Sequence, residues 1–162
     1  MLKGFFNVPS PTNEPINSYA PGTKERKLLQ DAIATARAQE VDIPMYIGSE
    51  VVRTGDKLPL TPPHDHKHIL GYYHKGTKAH VTAAIDAALS AKESWENLPW
   101  EHRAAIFLKA AELVATKYRY KLNAATMLGQ SKNAFQAEID SACELADFLR
   151  FNVQYMTEIY SQ

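Results

Sequence analysis

The sequence has one cysteine, Cys143, in 162 residues. A single thiol rules out an internal disulfide framework and a cysteine-based zinc cluster, and it fits a reducing compartment. Net charge is missing too: 18 Lys+Arg stand against 18 Asp+Glu. The basic excess that draws nucleic acid or anionic lipid is absent, so neither is expected as a partner. No apolar run reaches the roughly 18 residues of a membrane helix. The opening Met1-Leu2-Lys3-Gly4-Phe5-Phe6-Asn7 is interrupted too early for a secretory segment and lacks the Arg and Ser richness of a transit peptide, which makes a cytoplasmic location the default. The seven glycines form neither G-x-G-x-x-G nor a P-loop. No phosphate cradle is therefore expected within the chain.

What is present is an ordinary globular composition, 45% apolar and 22% charged, which argues against disorder and fibrous classes. Residues 1–44 read as an arm followed by a first helix. Pro9, Pro11, Pro15 and Pro21 each remove a backbone donor and bias the preceding residue toward extended geometry, so the arm is expected to lie on something. Leu28, Leu29, Ala32, Ile33 and Ala36 recur at helical spacing over 24–39, behind Thr23 as N-cap, and Pro44 marks the end. Residues 45–76 read as a β-hairpin, Met45-Tyr46-Ile47 and Glu50-Val51-Val52 around Gly48-Ser49, then a Pro-rich connector and a second extended piece at Ile69-Leu70-Gly71-Tyr72-Tyr73-His74.

Residues 77–162 read as three long helices. Thr77 is the N-cap candidate of the first, whose stripe is Val81, Ala84, Ile85, Ala88, Leu89 and Trp95, and which stops near Pro99. The second carries Phe107, Ala110, Ala111, Val114, Tyr118, Leu122 and Ala125, with Gly129 as its C-terminal signal. The third carries Ile139, Ala142, Ala146, Leu149, Val153, Met156 and Tyr160, and beside them a second stripe of Leu145, Phe148, Tyr155 and Ile159. So wide an apolar face wants neighbours on more than one side. The fold class expected is mostly α with one β-hairpin, one incomplete domain that self-associates through that face or belongs to something longer.

Few residues carry chemistry. His64, His66 and His68 alternate, and on a strand all three imidazoles would share one face as metal ligands. No Cys or Glu stands near to complete a shell, which favours an exposed polar strand edge and no metal. Leu58-Pro59-Leu60-Thr61-Pro62 has a P-x-x-P spacing that could dock as polyproline II, although such spacings are common in connectors. Cys143 sits mid-helix without a cationic neighbour in sequence, the setting of a small core residue and not of a nucleophile. Glu144 has Phe148 and Phe151 on its own side at i+4 and i+7. From spacing alone it is either a solvated helix-edge acid or an acid placed to meet a ligand cation.

Several strings together carry a resemblance. Asn13-Glu14-Pro15, Ala84-Ile85-Asp86-Ala87-Ala88-Leu89 leading to Trp95, Arg103-Ala104-Ala105-Ile106-Phe107-Leu108-Lys109-Ala110-Ala111, and Gly129-Gln130-Ser131-Lys132 through Gln136-Ala137-Glu138-Ile139-Asp140 look like the N-terminal portion of an aldehyde dehydrogenase. Glu144-Leu145-Ala146-Asp147-Phe148-Leu149-Arg150-Phe151-Asn152 resembles the Δ1-pyrroline-5-carboxylate branch of that family, which oxidises glutamate γ-semialdehyde to glutamate in proline catabolism.

The resemblance implies an α/β fold whose Rossmann-like domain, catalytic cysteine and general-base glutamate all lie beyond residue 162. NAD would be bound by those later parts and not by this chain, which alone would be inactive. In the implied mechanism a thiolate adds to the aldehyde carbon, the adduct gives hydride to NAD+, and water releases glutamate from the thioester. The helix equivalent to 133–160 would border the aldehyde entrance. Glu144 matches an acidic residue of the substrate pocket, and Phe148 would be part of its wall. The implied partners are the remainder of a longer polypeptide and a small aldehyde. The alternative, from another class, is a stand-alone helical interaction module using the wide face of the last helix.

Overall fold

The computed structural model describes residues 7–162. The reading of residues 1–6 as neither secretory nor transit segment lies outside the described residues. Helix α1 (Lys24–Arg37) begins where Oγ1 of Thr23 accepts a hydrogen bond from the Arg26 amide, the cap its hydroxyl was expected to make. It stops at Arg37, well before Pro44, with Ala38 as its C-cap, and the chain is extended from Val41. This extended piece is β1 (Val41–Ile43), which pairs in parallel with β5 (Gly71–His74).

The hairpin is present as β2 (Met45–Ile47) and β3 (Glu50–Val52), antiparallel with Met45 opposite Val52. Gly48 takes φ +58 in its turn, which a residue with Cβ adopts only under strain. The expectation of a single hairpin is corrected by a separate three-stranded sheet of order β1-β5-β4. Its strand β4 (Lys57–Leu60) runs through the stretch read as a connector, with Pro59 opposite Tyr72. Proline is tolerated there because β4 is an edge strand and can lack one donor without breaking the ladder. The Pro59–Pro62 spacing is thus partly consumed by sheet pairing, and it is not a free polyproline II segment. Strands of three or four residues carry almost no local signal, and long-range pairing creates them.

Helix α2 (Lys78–Asn97) starts at Thr77, whose amide donates to Nδ1 of His80 at 3.0 Å. It packs against β2, and its stripe of Val81, Ile85 and Leu89 is exposed along its length. The second long helix of the sequence reading is two helices, α3 (Trp100–Ala115) and α4 (Arg119–Gln130), divided at Thr116 with φ −118 and ψ −85. Gly129 does not end α4; Ser131 does, in the left-handed conformation at φ 57. The third is broken as well. A short α5 (Ala134–Ala137) leads into a six-residue π turn (Glu138–Cys143), which continues as α6 (Glu144–Tyr160).

Helix α3 packs on α6 and α1 on α4. The buried positions are mostly small: Ala104 and Ala111 on α3, Ala124 on α4, then Ala137, Ala142 and Ala146. Small residues at these positions let the helix backbones approach closely. The arm crosses this bundle, and its Tyr19 is buried against Leu29 and Ala124.

Gly71 marks the tightest point of the sheet, since a Cβ there would lie 2.1 Å from the Val41 carbonyl oxygen. Gly71→Ala is expected to loosen the β1–β5 pairing and lower stability by about 1–3 kcal/mol, as overpacking does; urea denaturation of the two proteins measures it.

Candidate functional site

The functional candidates sit on α6 and on what holds it. Beneath the arm lies a buried polar network centred on Glu138, which is 0% exposed. Its Oε1 accepts from the Asn17 amide at 2.8 Å and from Arg119, and its Oε2 accepts from the Tyr19 hydroxyl at 2.6 Å and from Nδ2 of Asn123 at 2.7 Å. Arg119 also donates to Glu14 and, at 2.6 Å, to the Pro15 carbonyl. Glu14 reaches on to Arg150 at 2.8 Å, and Asp147 accepts from the Glu14 amide at 2.7 Å and from Nδ2 of Asn13 at 2.8 Å. Every donor of Arg119 that points inward has an acceptor, the condition under which a buried charge is tolerated.

Burial alone would raise the Glu138 carboxyl. The Arg119 guanidinium, with the Tyr19, Asn17 and Asn123 donors, overcomes this and holds it below the ordinary carboxylate value. Burial would likewise lower Arg119, but Glu138 and Glu14 keep it charged. Burial and the neighbouring Glu138 carboxylate push Tyr19 well up.

Cys143 lies against this network, its Sγ 3.5 Å from Nη2 of Arg119 and 3.8 Å from the Pro15 carbonyl. Burial, with the Glu138 carboxylate, pushes its thiol up to about 11. A thiol so raised is mostly protonated at neutral pH and is no nucleophile, which agrees with its reading as a core residue.

Glu144 and Phe148 sit on the opposite side of the same helix. Glu144 is exposed and makes no ion pair among the described residues, and Phe148 is 63% exposed. Leu145 and Tyr155 extend the apolar ground around them. Phe151 is half-buried and meets Tyr155 at 6.4 Å between ring centroids. The helix therefore has an inner face engaged by the arm and an outer face carrying one free carboxylate among aromatic and aliphatic side chains.

The histidines do not converge. Residues 63–68 form turns and no strand, and among the described residues no group of His, Cys, Asp and Glu is placed to hold a metal ion. His64 Nδ1 bonds the Ser131 hydroxyl at 2.7 Å, so its role is to tie a loop to the end of α4. A different histidine is structured: His74 is buried, takes the Thr54 amide on Nδ1 at 2.7 Å and faces Asp42 with Nε2 at 3.0 Å. Nδ1 also lies 2.8 Å from the Thr54 carbonyl oxygen, so the ring is held between the Thr54 backbone and the Asp42 carboxylate. Asp42 also binds Lys57 and Arg53, and these with His74 hold its carboxyl below the usual range.

Neither cluster was assigned from sequence. Glu14 and Glu138 stood inside the strings that carried the resemblance, but nothing in local spacing joins positions 124 residues apart.

A depressed carboxyl contributes stability above its unfolded pKa, about 4.3 for Glu, and that contribution is lost as pH falls through the lower folded value. The urea midpoint is therefore expected to fall steadily from pH 5 to pH 2. Glu138→Gln should flatten that dependence, and at pH 7 it should cost about 3–5 kcal/mol, the cost of leaving Arg119 without its partner.

Comparison with known proteins matches this architecture. The sequence model of the aldehyde dehydrogenase family matches residues 51–162. A Delta-1-pyrroline-5-carboxylate dehydrogenase of Agaricus bisporus is 52% identical over 97% of this chain, which spans 29% of that protein. A mitochondrial enzyme of the same name from Dictyostelium discoideum is 46% identical over 96% of the chain and 28% of the relative. The crystal structure of the Mycobacterium tuberculosis Delta-pyrroline-5-carboxylate dehydrogenase bound with NAD and cobalamin covers the whole chain with a TM-score of 0.96 at 44% identity, and the chain covers 31% of it. The chain thus spans less than a third of the length of these relatives. The mitochondrial name in Dictyostelium does not share the cytoplasmic default read from the N-terminus, and no described helix is long and apolar enough to cross a membrane. With its family model matched over well more than half its residues and its fold superposing on solved members throughout, the chain belongs to the aldehyde dehydrogenase family.

Proposed function

We propose that the chain is the N-terminal portion of an NAD-dependent dehydrogenase that oxidises glutamate γ-semialdehyde to glutamate, and that it contributes one wall of the aldehyde entrance. The observation that carries this reading is the outer face of α6, where an exposed Glu144 carboxylate stands beside an exposed Phe148 on a helix braced from behind. The semialdehyde bears an ammonium and a carboxylate at the end remote from its aldehyde. A carboxylate at Glu144 attracts the ammonium through a charge-assisted hydrogen bond, and Phe148 offers apolar surface to the methylene chain. The names of the relatives support the substrate class.

The chain's residues do not fit a dinucleotide. The parallel pair β1–β5 is not joined by a crossover helix, and among the described residues no glycine-rich turn joins a strand to a helix. The NAD in the solved relatives' titles therefore supports a cofactor held by later parts of a family-length polypeptide. The exposed stripes on α2 (Val81, Ile85, Leu89) and α6 (Leu145, Phe148, Tyr155, Ile159) are surfaces for that remainder to cover. The stand-alone interaction module is not favoured, since the relatives are dehydrogenases.

Two measurements test this reading. The purified 162-residue chain should reduce no NAD+ with any aldehyde and, with its stripes uncovered, should self-associate in sedimentation velocity; turnover, or a compact monomer at high concentration, counts against it. In a family-length enzyme, Glu144→Ala should lower kcat/KM for the semialdehyde relative to a simple aliphatic aldehyde by about ten- to a hundredfold, the worth of a hydrogen bond to a charged group. An unchanged ratio overturns the role of Glu144.

A further inference from the structure

The inner and outer faces of α6 are linked by the π turn, and the link has a direction. In an α-helix seven residues make two turns, so Leu145 would lie beneath Glu138. It does not: Leu145 is 40% exposed, and Ala146, eight residues on, is 0% exposed. The π turn over Glu138–Cys143 has inserted one residue, which rotates everything after it by about 100° relative to Glu138. With that rotation Cys143, Asp147 and Arg150 meet the arm and Arg119, and Phe148 is turned directly away from the core. Without it Phe148 would lie on the flank and Leu145 would take the buried position that Ala146 holds.

An inserted residue costs helical hydrogen bonding and persists where its surroundings over-determine it. Here the surroundings are α4, whose Arg119 and Asn123 bond Glu138 and whose Asn123 also accepts from Ser141 within the turn, and the arm that completes them. Glu138, first residue of the π turn, takes two of its donors, Asn17 and Tyr19, from the arm, and Cys143, the last, is packed between Arg119 and Pro15 of the arm. Tyr19 holds φ +51, a left-handed conformation rare for a bulky residue. It is kept there by its hydroxyl on Glu138 and by Arg26 donating to its carbonyl at 3.2 Å. The strained residue of the arm and the irregular turn of the helix thus meet at one carboxylate.

We propose that the arm, through Glu14 and Tyr19 on the Arg119–Glu138 pair, sets the register of the π turn and so positions Glu144 and Phe148. Glu14 and Tyr19 are positioning residues for a substrate they do not touch. The inference rests on the substrate role given above to Glu144, and its test separates the two.

The experiment compares Tyr19→Phe, Glu14→Gln and Glu144→Ala, and each of the first two combined with the third, in a family-length enzyme, with glutamate γ-semialdehyde and propanal as substrates. Tyr19→Phe keeps the ring and its packing, so it retains the fold where Glu138→Gln would endanger it, and propanal turnover reports folding in the same sample. The expected result is a KM for the semialdehyde raised roughly three- to tenfold in Tyr19→Phe and in Glu14→Gln, the worth of one hydrogen bond, with kcat and propanal turnover retained. Neither should lower semialdehyde turnover further once Glu144 is Ala. If Glu144→Ala lowers the semialdehyde-to-propanal ratio and the arm variants leave it unchanged, or their effects add fully to that of Glu144→Ala, the positioning inference is overturned and the substrate role stands. If Glu144→Ala itself leaves the ratio unchanged, the substrate role falls and the inference falls with it.

Discussion

A carboxylate with no solvent exposure and an arginine beside it are the constraint on which this structure depends. Glu138 and Arg119 are both buried, and such a pair is tolerated only when every remaining lone pair and proton is satisfied. Neither helix can satisfy them alone. The extended arm completes the set with the Asn17 amide, the Tyr19 hydroxyl and the Pro15 carbonyl, so the polar demands of the helices beneath it tie the arm down alongside the apolar packing of the Tyr19 ring.

That constraint also explains two irregularities. The division of α3 from α4 at Thr116 brings Arg119 to the start of a helix where its guanidinium can turn inward, and the π turn lets Glu138 and Cys143, five residues apart, both face the same site. A regular α-helix would send one of them outward. Small side chains at Ala137, Ala142 and Ala146 leave room for the polar cluster between helices that would otherwise be held apart.

The outer surface follows a different logic. Helix α2 has no buried residue, and Leu145, Phe148, Tyr155 and Ile159 of the second stripe of α6 are exposed. These faces and the buried network divide the chain into an inner half whose polar groups satisfy one another and an outer half whose apolar side chains are exposed. The exposed carboxylate of Glu144 belongs to the outer half and takes no part in the buried network.

Much of this was legible in the sequence, for a physical reason. Helix starts at Thr23 and Thr77, the hairpin around Gly48-Ser49 and the two stripes of the last helix all depend on residues within one or two turns of each other, and local sterics and periodicity decide them. Tertiary structure alone decided the strands β1 and β4, too short to signal themselves, the turn conformation of the three histidines, the break at Thr116 and the insertion at Glu138. Each arises because groups far apart in the chain compete for the same space or the same hydrogen bond. The amino-acid order settled which segments coil and which extend; that Glu14 and Tyr19 reach Arg119 and Glu138 across more than a hundred residues was settled only by the tertiary structure, because a buried charge pair needs partners its own helices do not supply.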